Sequence, residues 1–499
     1  MSRNSSVRTP RPMRRGLLPF LPLFFWSLAA TVAFSQSLET SVFPTDFDPG
    51  SSDRPFGLAF HPDGRQVYVP LAGDLSFASP QTANNADVVL IDVLTGLQTA
   101  VGSTGLYPEE AAVALDAAGQ ARHIYVSNST DGTVSCLTPD LATTVATISL
   151  SPCFGSVFFG SFPYGLLLSA DGTRLYVTTV GGCDTVEVLD VDPASANFNT
   201  QIGSFTVPGS SGRPSWRNGV EIVFPVTIYN AGFTASEAGF AVVDPANPST
   251  ATTHAVAPTP GTLGFHSANE AVVLPGDLVL IPVSGGSNPT LIEASIATGA
   301  VTRTLVMPAA LTSPSLHGLG VSDDRRRAAV TSFTGGDVVF IDLPSFTVSG
   351  IHDHGATSTP NDVAFTPDGS RLVVTLQGHA RVDILKDLPG FELQLALPTA
   401  AAQGALFTAT VSGCETESPY GVFVSTNPGP ILVGSTVVRL GLPLFELFSG
   451  VGDHFGGASA GFAMPTIPGI SGLVFYAQAV TVDRDGDLRF SNGATLTVL

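Results

Sequence analysis

Acidic, basic and aromatic residues recur just ahead of short apolar strands along this 499-residue chain. In chain order they are Arg54, Glu109, Glu110, Tyr164, Trp216, Arg217, Asn218, Asn269, Glu270, His317, Asn361 and Asp362. Carboxylates beside imidazole and guanidinium groups can move protons, steady an oxyanion or grip a polar ligand. The candidate ligand-binding set is Arg54, Glu110, Tyr164, Arg217, Asn218, Glu270, His317 and Asp362. Were the site hydrolytic, Glu109 or Glu270 would act as base, with His317 or Arg217 at the oxyanion. No catalytic residue is assigned, because the chain has no H-E-x-x-H, P-loop or paired CxxC. His266, His317, His352, His354 and His379, with Glu270, Asp353 and Asp362, are the residue types of a borderline-metal site. They come from separate segments, and only His352-x-His354 has local spacing, so loop histidines in water compete with that reading. No cofactor is expected, a metal ion being the single candidate.

These residues are brought together only if the segments carrying them close on one another. PFGLAFHPDGRQVYV from Pro55, PYGLLLSADGTRLYV from Pro163 and PNDVAFTPDGSRLVV from Pro360 repeat one pattern. Each is a Pro-led turn, an apolar strand, an Asp-Gly turn and a β-branched or aromatic strand, which specifies a hairpin. Asp63 and Asp171 are 108 residues apart, two units of 54. Asp324, in the degenerate VSDDRRRAAV, follows 153 residues later, and Asp368 a further 44. Seven third-strand segments, from VVLIDVLTG to VDILKDLPG, mark the same units. The expectation is an all-β chain: a seven-bladed β-propeller over residues 36–388 and a small β-sandwich over 389–499. The last unit has three strands, so Leu38 to Phe47 is expected to supply the fourth. Innermost strands begin on the face of the inter-unit links, which places the polar residues around the mouth of a central channel. Long segments on that face, Leu71 to Asp87 and Ser151 to Ser161, fit a binding rim.

IYVSNSTDGTVSCLTPDLATTVATISL, from Ile124, resembles the YVTN family of bacterial β-propeller repeats. The similarity covers Pro55 to Lys386 and is good in units 1, 2, 3 and 7. In units 4 and 5, WRNGVEIVFPVTIYNAG and EAVVLPGDLVLIPVSGG lack the Asp-Gly turn at its usual place. The resemblance implies a fold and no particular chemistry. The layout is also similar to seven-bladed lactonases, which implies a site at the channel mouth. Two functions follow: a non-catalytic propeller binding a protein or small molecule on its loop face, or a lactonase-like or other hydrolase, with or without a metal.

Residues 1–35 read as a signal peptide, with Arg3, Arg8, Arg11, Arg14 and Arg15, an apolar run from Leu17 to Phe34, and Ala33-Phe34-Ser35 before the cut. Export to the periplasm, cell surface or medium is expected, with no membrane span after cleavage. Losing five arginines takes the net charge from −20 to −25. So acidic a surface argues against nucleic acid as a partner, and a monomer is expected. Of four cysteines, Cys153 and Cys183 fall in loops on one face and are candidates for a disulfide; Cys136 and Cys414 read as buried thiols. Asp483 to Asp487 resembles half a calcium loop but reads as a hairpin turn.

Overall fold

The Asp-Gly segments close the first hairpin of the first, third and seventh repeats. At His61–Gly64 the Gly64 amide donates to the His61 carbonyl at 2.9 Å, and Gly64 takes a φ of 69°. The Asp63 carboxylate accepts from the Arg65 and Gln66 amides at 2.8 and 3.0 Å. This is a type I turn closed by a left-handed residue, a conformation that suits glycine. Ser169–Gly172 and Thr366–Gly369 repeat it. The aspartates are therefore turn formers, as their spacing suggests.

A computed structural model describes residues 37–499 apart from 46–52, 77–81, 84, 153–161, 181–183, 211, 231–233, 258–265, 286–288, 309–310, 312–314, 387, 389–390, 392, 416–417, 429–430, 434–435, 439, 441–444, 452–456 and 484–487. The leader, Cys153, Cys183 and most of the Asp483–Asp487 turn lie outside the described residues. Cys136 and Cys414 are both buried.

Among the described residues, seven antiparallel sheets of four or five strands follow one another between Ser37 and Lys386, five of them built from consecutive strands; a two-stranded ribbon, Leu75–Ser76 with Thr82–Ala83, interrupts the first. Within a sheet the second and third strands are almost wholly buried, as in Gln66–Leu71 and Asp87–Asp92, whereas the outermost, Leu97–Ser103, alternates with solvent. Burial on both faces explains the unbroken apolar runs in the sequence. Those faces meet in seven separate cores, one per neighbouring pair of sheets. Tyr68 and Leu90 of the first sheet pack on Ile124 and Val126 of the second, and so on round to Val373 and Ile384 of the seventh, which pack on Val69 and Val89 of the first. The ring is closed.

Closure uses the N-terminal strand Ser37–Val42, which pairs antiparallel with Arg381–Lys386 from Ser37↔Lys386 to Val42↔Val382. It supplies the fourth strand of the seventh sheet, where the sequence lacked one. After Leu388 come a three-stranded sheet and a larger one ordered around Val474–Val482. They share a core in which Leu395 and Val411 meet Val422, Ala477 and Ala479. Phe391 joins them to the ring: Arg327 lies 5.3 Å and Arg489 5.7 Å from its ring centre.

Candidate functional site

A β-bulge interrupts the innermost strand of the sheets at one level. In four of them two residues oppose one: Glu109-Glu110 face Ser127, Tyr164-Gly165 face Thr178, His317-Gly318 face Thr331, and Asn361-Asp362 face Thr375. The opposing hydroxyl accepts from the second bulge amide, at 3.1, 2.9, 2.7 and 2.9 Å in turn. It also donates to the next sheet: Ser127 to the Tyr164 carbonyl, Thr178 to Gly212, Thr331 to Asn361 and Thr375 to Phe56, at 2.7 to 3.2 Å. The Ser or Thr that follows valine in these second strands thus ties sheet to sheet and fixes the bulges. In the first, fourth and fifth sheets Pro70, Pro225 and Pro282 stand opposite a gap in the pairing with the innermost strand, where a strand tolerates a residue without an amide proton.

The bulges build two layers across the channel. Sheets 1, 3 and 6 present Phe56, Tyr164 and His317, each followed by glycine. Phe56 meets Tyr164 and His317 edge-on, with ring centres 5.9 and 6.3 Å apart. A Cβ on Gly165 or Gly318 would sit 2.4 or 2.7 Å from the next sheet's carbonyl oxygen. Sheets 2, 4, 5 and 7 instead present Glu110, Arg213, Glu270 and Asp362. Arg213 is the hub. Its guanidinium lies 2.6 Å from Glu110, 3.4 Å from Glu270 and 2.5 Å from Asp362. Its backbone is fixed too: the Arg213 amide donates to Asn269 O at 3.0 Å, and the Ala271 amide to Arg213 O at 3.2 Å. Preceding Gly212 has no room for a side chain, since a Cβ would fall 1.8 Å from Asn269 O.

Below the charged layer lies a cavity of about 300 Å³ whose polar ceiling is Glu110, Arg213, Glu270 and Asp362. Its walls are apolar: Leu58, Leu166, Val272, Leu319, Val321 and Phe365. These residues follow the bulges in sequence, so the cavity lies on the side of the Asp-Gly hairpins. The sequence had placed the site in an open mouth on the opposite face. There Phe56 and Tyr164 are buried and form the closing aromatic layer.

Five of the eight candidate binding residues therefore converge: Glu110, Tyr164, Glu270, His317 and Asp362. Arg217 and Asn218 do not. Asn218-Gly219, with φ of 52° and 67°, is the first hairpin turn of the fourth sheet. Arg217 forks onto Asp277 at 2.5 and 2.7 Å, joining that turn to the one in the fifth sheet. Arg54 sits at the rim, 2.8 Å from Asp74. Arg213 was missed because its proline comes late. Pro55, Pro108, Pro163 and Pro360 precede the bulge pair, whereas Pro214 follows Arg213. The histidines disperse: His317 Nδ1 lies 3.2 Å from Asn361 O, His354 Nδ1 2.9 Å from Asp383, and His379 Nε2 3.1 Å from Thr357 Oγ1. Among the described residues no three His, Cys, Asp or Glu side chains are grouped to hold a metal ion.

Burial governs the protonation of the layer. It pushes Glu109 up to about 8, against the Ser129 hydrogen bond and the pull of Arg213. Geometry agrees. Ser129 Oγ is hydrogen-bonded to Glu109 Oε2 and lies 2.5 Å from Pro163 O. One hydroxyl proton cannot serve both, but a protonated Glu109 donating to Ser129 satisfies all three. Glu270 is raised to about 7 and Glu110 well above the carboxylate range, both by burial opposed by Arg213. Burial and then Arg213 lower His317 to about 4, leaving it neutral at pH 7. A carboxyl raised in the folded state binds a proton that the unfolded chain has released. Its stabilising effect is complete below about pH 4.5 and is lost as pH rises through the folded value. Glu109→Gln removes one such group. It is expected to shrink the fall in urea stability between pH 5 and 8 by on the order of a few kcal/mol. An unchanged fall would mean Glu109 is not protonated in the fold.

The chain matches no protein-family profile and no curated protein. Solved structures do match. Hydrazine synthase of Kuenenia stuttgartiensis aligns with a TM-score of 0.52 and 14% identity, over 68% of this chain and 97% of that one. The Cps50 (Swd1) β-propeller domain of Myceliophteria thermophila aligns at 0.46 and 10%, over 70% and 99%. The periplasmic gluconolactonase of Pseudomonas aeruginosa aligns at 0.45 and 18%, over 62% and 87%. With its succession of four-stranded antiparallel sheets, the chain has a β-propeller fold.

Proposed function

We propose that this protein is an exported, non-catalytic, seven-bladed β-propeller of the YVTN kind that binds a small molecule in its central channel, with the C-terminal sheets as an accessory sandwich. The observation that carries this is the ionisable ceiling of Glu110, Arg213, Glu270 and Asp362 over an apolar-walled cavity of about 300 Å³. Concave, apolar space with a few converging polar groups is the usual form of a ligand site. A ring held by seven apolar interfaces does not require four charged groups at its axis, and burying them costs stability. Their cavity-facing placement is what a binding role explains.

The test is a calorimetric screen of small polar compounds against wild type and Val321→Phe, which fills the cavity without touching the charged layer. Hits are expected with wild type and lost in the variant at equal Tm. No hits, or hits that survive in Val321→Phe, would place binding elsewhere.

One observation favours a hydrolase at the same place. Glu270, held near neutrality, could act as a general base for water, with Arg213 beside it to steady an oxyanion. Lactones are the first substrates to try. Turnover by wild type that disappears in Glu270→Gln would establish it, and turnover no faster than buffer would end it.

A further inference from the structure

We propose that the ligand of this cavity is a small organic ammonium ion, its charged head on Glu110 and Glu270 and its apolar body against Leu58, Leu166, Val272 and Val321. This rests on the channel as the binding site and specifies the chemistry it takes.

The charge arithmetic of the ceiling is one-sided. Three carboxyl groups face a single guanidinium, and that guanidinium is already engaged by Asp362 and Glu270. Arg213 Nη1 is taken by Asp362 and Glu270, whereas its Nε and Nη2 have no aligned acceptor. One carboxylate is enough to balance Arg213, and every proton lost from Glu110 or Glu270 adds negative charge, so the ceiling favours a cation over an anion. The Glu110 side chain is buried, yet Oε1 has no aligned hydrogen bond, although Arg213 Nη2 lies 2.6 Å away. The contact has the distance of an ion pair without the direction of a hydrogen bond. Oε1 itself is covered, but its carboxyl belongs to a residue lining the cavity, and an ammonium donor set against that carboxyl would add a charge-assisted hydrogen bond. The walls offer no hydrogen-bonding side chain except Ser215, so the remainder of the ligand is apolar.

Proton release follows. The groups that face the head are Glu110, Glu270, Asp362 and Arg213, with Glu109, Tyr164 and His317 packed behind them. An ammonium group stays charged to about pH 10. Its arrival favours the ionised carboxylates, so the protons held at Glu110 and Glu270 leave on binding. Affinity is therefore expected to rise between about pH 6 and pH 8.

The experiment uses three probes with one body: benzylammonium, benzyl alcohol and benzoate, titrated calorimetrically into the full chain. The expected result is binding of benzylammonium alone, tighter at pH 8 than at pH 6. Glu110→Gln, which keeps the shape, should weaken it about 10- to 100-fold, the cost of losing a charge-assisted hydrogen bond. Val321→Phe should abolish it, and Tm measurements establish that both variants are folded. Benzoate or benzyl alcohol binding as well as the amine, with loss in Val321→Phe, would overturn the cation preference while leaving the channel site standing. Amine binding unaffected by Glu110→Gln would overturn the assignment of the head group. No binding by any probe, or binding that survives Val321→Phe, would overturn both the inference and the channel reading beneath it.

Discussion

Arg213→Met is expected to cost about 3–5 kcal/mol of folding stability at pH 8, the range for removing one partner of a buried ion cluster, and much less at pH 5. Methionine keeps the unbranched stem of the side chain, fills a similar volume and stops short of the guanidinium. The backbone bonds of Arg213 to Asn269 and Ala271 do not involve the side chain and should persist. What disappears is the positive charge between Glu110, Glu270 and Asp362. Without it the carboxyls repel one another across a dry space, and each is driven to hold a proton instead. The folded state then binds more protons than the unfolded chain across a wider window, from about pH 4.5 upward. The pH slope of stability should therefore steepen relative to wild type. Urea denaturation at both pH values reads this directly. An equal loss at pH 5 and pH 8 would mean that Arg213 acts by packing and not by charge.

How far the sequence could be read depended on which signals are local. Hairpin turns are local, so Asp63, Asp171 and Asp368 announce themselves, and with them the repeat. Even the weak units carry the signal in another form. Asn218-Gly219 and Gly276-Asp277 take left-handed conformations where the Asp-Gly pairs were missed. The missing fourth strand of the last unit was legible because an unfilled sheet edge must be covered. The channel is different. Whether a polar residue lies in it depends on its bulge register, and a shift of one residue turns a side chain to the other side. Glu110, Glu270, His317 and Asp362 could be read into their bulge register because a proline, or an unambiguous strand, fixes it. At Gly212-Arg213-Pro214 the proline comes after the bulge, so the reading slid forward to Arg217 and Asn218. Nor could the sequence tell which side of the layer is open. That depends on Phe56, Tyr164 and His317 coming from three distant segments and packing together. The alternation was nonetheless visible in retrospect: the bulge pairs with an aromatic ring first have glycine second, and the others carry charge.

Removing the closing strand Ser37–Val42 should have the larger effect on the fold as a whole. Five registered residue pairs join it to Arg381–Lys386, and their loss exposes the edge of the seventh sheet to solvent and to other chains. Val42, 5% exposed, leaves the core between the seventh and first sheets. Two polar clusters lose a member. The Glu39 carboxylate accepts from Arg371 Nε and Nη2 at 2.5 and 2.9 Å. Ser41 Oγ donates to Asp383 at 2.6 Å, on a carboxylate that also meets His354 and Arg381 at 2.9 and 3.0 Å. Those hydrogen bonds help hold Asp383 below the usual carboxylate range against the opposing effect of burial. At about 1 kcal/mol for each lost hydrogen bond, with apolar burial added, the deletion should remove more than about 5 kcal/mol, comparable to the whole stability of many domains. The truncated chain is therefore expected to unfold at far lower urea, or to associate through its open edge. Glu39→Arg is the milder companion, because it sets like charges against each other at Arg371 while leaving the strand in place. It should lower Tm by a smaller amount, and added salt should recover part of the loss. A truncated chain with the wild-type denaturation midpoint, still monomeric by light scattering, would show that the ring does not depend on this strand.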